Sequence, residues 1–268
     1  MRSLHRVDDW PVEHAAAAVV TSAGTTTHGE DDRRFPLASV TKLLVAVAAL
    51  LAVEEEAITL DEAAGPEGST VRHLLAHTSG LAFSEQRVMA EPGTRRLYSS
   101  AGFEVLADHL AARTGIAFGD YLHEAVCEPL GMGSTTLDGS PGHGATSTLA
   151  DLALFAAELR APTLLAPETM AEATTVQFPG LNGVLPGLGH QKPNDWGLGF
   201  ELRDHKSPHW TGASSSPGTF GHFGQSGTFL WVDPAADAAA VVLTDRDFGD
   251  WAKEAWPAFT DALLAELA

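Results

Sequence analysis

Ser39 and Lys42 stand three positions apart within residues 35–53, FPLASVTKLLVAVAALLAV, where Thr41 is the only other polar side chain. On a helix that spacing puts the hydroxyl and the amine on one face. Lysine is scarce in this chain. Lys42, Lys192, Lys206 and Lys253 are the only four, and one of them lies in the most apolar stretch. Burying an ammonium costs several kcal/mol unless the group is paired or gives up its proton. A hydroxyl beside an amine of lowered pKa is a nucleophile next to its base. The competing reading is a helix cap followed by a solvated lysine, and the tetrapeptide alone does not decide between them.

The elements that must hold this pair follow from hydrophobic pattern and turn chemistry. At about 1.5 Å per residue the apolar run approaches bilayer length. Its lysine and the soluble composition around it point instead to a buried core helix, with Pro36 near the entry. Residues 15–22 and 25–28 read as a hairpin. Thr70 is an N-cap for a short helix over 71–78, closed by Ser79-Gly80. Residues 81–96 have no regular pattern. The pattern predicts helices over 101–114, over 118–127 with a stop at Pro129, over 147–160 and over 167–174. Past the Gly- and Pro-rich 180–199, strands are expected at 196–203, 218–222, 228–232 and 238–244, then a closing helix over 251–268.

That order predicts an α/β (α+β) fold: an antiparallel sheet built from both chain ends, flanked by helices, with a mostly helical region inserted. We expect one compact unit in which residues 1–60 plus 190–268 form the sheet region and 61–189 the helical region. The site then lies at their boundary, where clefts form.

Composition excludes other functions. A formal net charge of −19 argues against nucleic acid or an anionic membrane surface as partner, and against polyanionic substrates unless a local basic pocket intervenes. Cys127 is the only cysteine, so no intrachain disulfide forms, and an isolated cysteine usually packs as a small hydrophobe. Asp8, Asp9 and Glu13 fall where an export signal needs its apolar core, which makes the expected address cytoplasmic. His73 and His77 sit four apart but lack the carboxylate of H-E-x-x-H, and Leu74-Leu75 suit a packed helix, so no metal is expected. His205 and His209 flank Pro208 in an expected loop, solvated or at the cleft rim.

Three further stretches decide the matter: HLLAHTSGL at 73–81, EPGTRRLYSSAG at 91–102 and GHFGQSGTFLWVDP at 221–234. With residues 35–42 they resemble, in order, the serine β-lactamase-like and penicillin-binding-protein-like family: class C β-lactamases, DD-peptidases and esterase relatives. PLGM at 129–132 and WGLGF at 196–200 support the likeness. The resemblance implies that Ser39 is acylated and Lys42 takes its proton. It implies that Tyr98, one of two tyrosines, relays protons as the tyrosine of Y-x-N does. His222-Phe223-Gly224 matches the third motif, K-T-G or H-x-G, on a strand edge lining the cleft. The backbone N–H groups of Ser39 and Gln225 then form the oxyanion hole.

Two departures narrow the substrate. Ser100 stands where the family usually has Asn, and Phe223 replaces a threonine that helps hold a carboxylate. His222 is charged only in part near neutral pH. Such a site favours esters with an apolar flank over carboxylate-bearing substrates. Trp196 and Trp210 are candidates to line it, with Ser100, His222, Phe223 and Gly224. The leading expectation is a cofactor-free serine hydrolase, a carboxylesterase acting through an acyl-enzyme on a small-molecule ester or amide. The alternatives are a β-lactamase, DD-peptidase or acyltransferase with the same residues, and a catalytically silent binding member of the family.

Overall fold

In the computed structural model, which describes residues 1–268, the apolar run splits into three pieces. The hairpin β1 (Ala15–Thr21) and β2 (Gly24–His28) leads to a two-residue strand, β3 (Phe35–Pro36). A single 3-10 turn, Ala38–Val40, follows, and helix α1 begins only at Thr41 and runs to Glu54. Pro36 therefore sits in a strand, not at a helix entry. Without an amide hydrogen it is accepted on a short edge strand. Residues Thr41 to Ala52 of α1 are all buried. Each of its leucines and valines contributes roughly 2 kcal/mol by leaving water, which is what fixes so apolar a helix at the centre.

The helical region follows as α2 (Val71–Leu75), α3 (Ser100–Thr114), α4 (Phe118–Leu122) and α5 (Glu128–Leu130). Thr70 caps α2 as expected, and His73 completes a capping box by returning Nδ1 to the Thr70 amide. The helix ends at Leu75, short of the expected Thr78, because His77 adopts a positive φ of 56°. Pro129 does not stop its helix. It opens the last turn, α5, after a wide π turn at His123–Cys127, the kind of bulge in which a helix ladder changes register. Strands β4 (Thr136–Leu137) and β5 (Ala145–Ser147) form a small sheet with β3, ordered β3-β5-β4. Then come α6 (Leu149–Arg160) and α7 (Pro167–Ala173).

The Gly- and Pro-rich stretch holds a hairpin, β6 (Gly183–Leu185) and β7 (Gly189–Gln191). Of the strand expected over 196–203 only β8 (Glu201–Leu202) forms. It is followed by β9 (Phe220–Gly224), β10 (Thr228–Asp233), β11 (Ala238–Thr244) and the closing helix α8 (Asp250–Leu267). The main sheet is antiparallel with order β2-β1-β11-β10-β9-β8, so strands from the two chain ends meet at β1 and β11.

Both faces of this sheet are covered, and strand alternation assigns each side chain to one. Ala239, Val241 and Leu243 of β11 face the large core shared with α1 and α6, while Ala238, Ala240 and Val242 face a second core with α8 and the N-terminal turn Ser3–Asp9. On β9 Phe220 belongs to the α1 side and Phe223 to the α8 side. His222, one residue before Phe223, therefore points toward α1. This parity decides which third-motif side chains can reach the site.

Candidate active site

Ser39 lies in the 3-10 turn just before α1, and the residue ahead of it, Ala38, has φ +43°. An L-residue there pays about 1–2 kcal/mol, and such strain persists only where the surroundings impose it. They do so here through the β9–β10 turn. The Ser226 hydroxyl donates to the Pro36 carbonyl at 2.7 Å and the Thr228 hydroxyl to the Leu37 carbonyl at 3.1 Å. Gly224 lets the strands close, because a methyl group there would run into the Leu37 oxygen and the Ala38 side chain. These contacts seat Gln225 next to the turn that carries Ser39. No hydrogen bond within the chain engages the N–H groups of Ser39 and Gln225, so both are available to a ligand.

Lys42 is fully buried in the first turn of α1. Its Nζ lies 3.3 Å from Ser39 Oγ, 3.1 Å from Ser100 Oγ and 2.6 Å from the Gly142 carbonyl oxygen. The rings of Tyr98 and Phe103 wall it at 4.7 and 5.6 Å. Burial pulls the amine from its ordinary 10.5 down to about 7, against an opposing pull from the Glu104 carboxylate. Near neutral pH a large fraction is unprotonated. A neutral amine has two N–H donors and one lone pair. With the donors on Gly142 and Ser100, the lone pair is left for the Ser39 O–H.

Tyr98 comes from the extended segment ahead of α3, whose start is capped by the Ser99 hydroxyl on the Gly102 amide. Its hydroxyl is 2.7 Å from His222 Nε2 and interacts with Ser39, and burial drives its pKa far above the usual tyrosine value. His222 is itself pushed down to about 3, first by burial and then by the charge of Lys42. It is a neutral imidazole on the α1 side of the sheet at any working pH, not a partly charged cation. His77, buried and held far below its ordinary pKa, accepts the Ser99 amide hydrogen on Nδ1 and packs tilted against Tyr98 with ring centroids 4.5 Å apart. Trp196 packs edge-on to His77 and His222 behind the phenol.

Several expected substrate contacts fall elsewhere. Phe223 points to the opposite face of the sheet, against Trp210, Phe248 and Trp256. Trp210 is core on that same side, its indole N–H donating 2.9 Å to Glu201. His209 is not at a rim: it is buried and bonded to Glu201 at 2.9 Å. Burial presses that carboxylate upward, but Lys206 and His209 outweigh it and hold it at about 2. Ser100 is buried on Lys42 rather than open to a substrate. Gly142 backs it so tightly that a methyl group there would sit 2.7 Å from the Ser100 Cβ. No sequence signal marked Gly142, nor the brace behind it. The Ser140 hydroxyl accepts the Gly142 amide hydrogen and donates to Glu104 at 2.5 Å.

A cavity of about 900 Å³ opens from Tyr98 between the loop carrying Phe83 and Met89 and the β6–β7 hairpin. Phe83 stacks on Tyr98 at 5.9 Å. The two groups of three side chains able to hold a metal, His5 with Asp8 and His28, and Glu13 with His14 and Asp245, contain none of these residues. No helix is long and apolar enough to cross a membrane.

A serine bonded to a buried amine that lies over a tyrosine ring, where an antiparallel sheet meets a helical region, fits a serine hydrolase of the β-lactamase-like and penicillin-binding-protein-like fold. The chain belongs to the β-lactamase family, whose model, described as Beta-lactamase, matches residues 7–264. Among solved structures, a β-lactamase from Mycobacterium bovis is 63% identical over 99% of both chains, with a TM-score of 0.98. Simvastatin synthase from Aspergillus terreus is 18% identical over 99% of this chain and 97% of its own, TM-score 0.77. EstCE1, described as a hydrolase with promiscuous acyltransferase activity, is 18% identical over 98% and 96%, TM-score 0.80. At that identity the last two speak to the fold alone. Comparison with curated protein sequences returned no match.

Proposed function

We propose that the protein is a carboxylesterase working through an acyl-enzyme on Ser39. The observation that carries this is the Lys42 amine, buried, lowered to about 7 and 3.3 Å from the Ser39 hydroxyl. Lys42 takes the Ser39 proton as Oγ attacks the ester carbonyl, and the amides of Ser39 and Gln225 stabilise the oxyanion by roughly 3–4 kcal/mol each. When the C–O bond breaks, the Tyr98 hydroxyl protonates the departing alkoxide and regains its proton from Lys42. Water then attacks the acyl carbonyl by the same groups in reverse, releasing the acid. Burial disfavours the charged form of both groups, which makes Lys42 the base and keeps Tyr98 a proton carrier.

A β-lactamase is the second reading, favoured by the 63% identical M. bovis protein. Against it, His222 is neutral and Phe223 faces away, so the third motif offers neither cation nor hydroxyl to a ring carboxylate. A cytoplasmic address belongs to the same proposal, and cell fractionation checks it. The central test is mass spectrometry after reaction with an activated short-chain ester. Wild type should gain the acyl mass and Ser39→Ala should not. Turnover unchanged in Ser39→Ala would end the proposal, and nitrocefin hydrolysed faster than every ester would transfer it to the β-lactamase.

A further inference from the structure

The cavity that opens at Tyr98 departs from the rest of the molecule in charge. The chain holds 35 acidic residues against 16 Lys and Arg, yet none of the 17 residues lining this cavity is Asp or Glu, and three are arginines. Those three differ. Arg96 is buried and spends its guanidinium on the carbonyls of Ala76, Asn194, Gln177 and Phe178, so it is part of the wall. Arg87 is held by Glu85 and Met89. Arg95 is exposed and makes no hydrogen bond or ion pair within the chain. It is the one lining guanidinium left for a ligand.

With Arg95 and Tyr98, the cavity lining includes the apolar side chains of Leu97, Phe83 and Val184. Of the six large hydrophobic side chains the protein leaves exposed, Phe83, Met89 and Val184 line this cavity, and Val88 pairs with Leu81 at its edge. Apolar side chains gathered at one mouth mark a surface that is covered in use. Arg95 precedes Tyr98 by three residues, at most about 10 Å of extended backbone, so a ligand reaching from one to the other is a chain of medium length.

We propose that this cavity is the acyl subsite and that it selects acyl groups ending in a carboxylate, with Arg95 receiving the carboxylate and the apolar walls holding the methylene chain. One unpaired guanidinium fits one bidentate carboxylate. The carboxylate is thus taken at Arg95 and not at the third motif, whose own donors are missing and which does not line this cavity. The inference rests on the acyl-enzyme reading, because it places the scissile carbonyl at Ser39.

The test compares p-nitrophenyl hydrogen suberate with p-nitrophenyl methyl suberate, the same chain with its far end charged or capped. Wild type should favour the acid at least tenfold in kcat/KM, Arg95→Gln should bring the ratio to within twofold, and 0.5 M NaCl should shrink it in wild type. Equal rates in wild type, or a preference that survives Arg95→Gln, overturns the subsite. Calorimetric titration of Ser39→Ala with monomethyl and dimethyl suberate separates binding from chemistry. Tighter binding of the monoacid, lost on adding Arg95→Gln, with neither ester turned over by wild type would sink the esterase and keep the subsite. Turnover of both esters at one rate, with equal binding of the two suberates, does the reverse.

Discussion

Replacing Lys42 by Met removes the proposed base while keeping its volume, and the structure sets a consequence for stability as well as for activity. The native amine titrates at about 7 and the ordinary one at 10.5. Between those values the unfolded chain holds the proton and the native chain has released it, so stability rises with pH. Below pH 7 both states are protonated and the whole penalty of the buried ammonium is present. Integrating from pH 7 to pH 9 gives a gain of about 2 kcal/mol for wild type from this one group. Lys42→Met lacks it, while His77 and His222, depressed first by burial and only then by the Lys42 charge, stay neutral in both proteins from pH 7 to pH 9. Urea unfolding at pH 6, 7, 8 and 9 should show wild type gaining about 2 kcal/mol on the variant across the upper range. The variant should gain no acyl mass. Parallel stability curves from pH 7 to pH 9 would show that the amine is not depressed, and the case for Lys42 as base would go with it.

Two other perturbations bear on the same machinery. Glu104→Gln keeps an acceptor for Ser140 but removes the carboxylate that holds the amine up. The ascending limb of kcat/KM, expected near pH 7 in wild type, should therefore move to lower pH, and a limb that stays or moves up refutes that role. Gly224→Ala drives a methyl group into the Leu37 carbonyl and pushes the β9 edge off the nucleophile turn. Since a misplacement of about 1 Å costs up to roughly a hundredfold, kcat/KM for a short-chain ester should drop by about that factor; wild-type kinetics would show that the close approach is not needed.

What could be read from the sequence was whatever depends on local spacing. The three-residue step from Ser39 to Lys42, the short apolar runs of β10 and β11 bounded by turn residues and the Thr70 cap each carry their own signal, and the sheet joining both chain ends followed from strand order. Tertiary context lay outside such reasoning. His222 and Phe223 are neighbours in a motif, but strand parity sends one to the cleft and the other to the α8 core. The tryptophan at 210 is drawn into that core by a buried carboxylate nine residues earlier. The start of α1 was misread because an apolar run looks alike in β3, in the 3-10 turn and in the helix. Gly142 contributes only a backbone carbonyl, which no side-chain pattern marks.

The two groups proposed to move protons, Lys42 and Tyr98, sit in one desolvated pocket and are driven in opposite directions by it. Burial disfavours charge, and the charged form is the protonated one for the amine but the deprotonated one for the phenol. A single apolar enclosure, made by Phe103, the His77 ring and the Tyr98 ring itself, therefore lowers Lys42 and raises Tyr98 without a separate device for each. The neutral His222 belongs to this economy. A charged imidazole 2.7 Å from the phenol oxygen would favour a phenolate and repel the lysine's proton, undoing the division between base and carrier. Burial of His222 to a pKa of about 3 keeps the third motif a hydrogen-bond partner only.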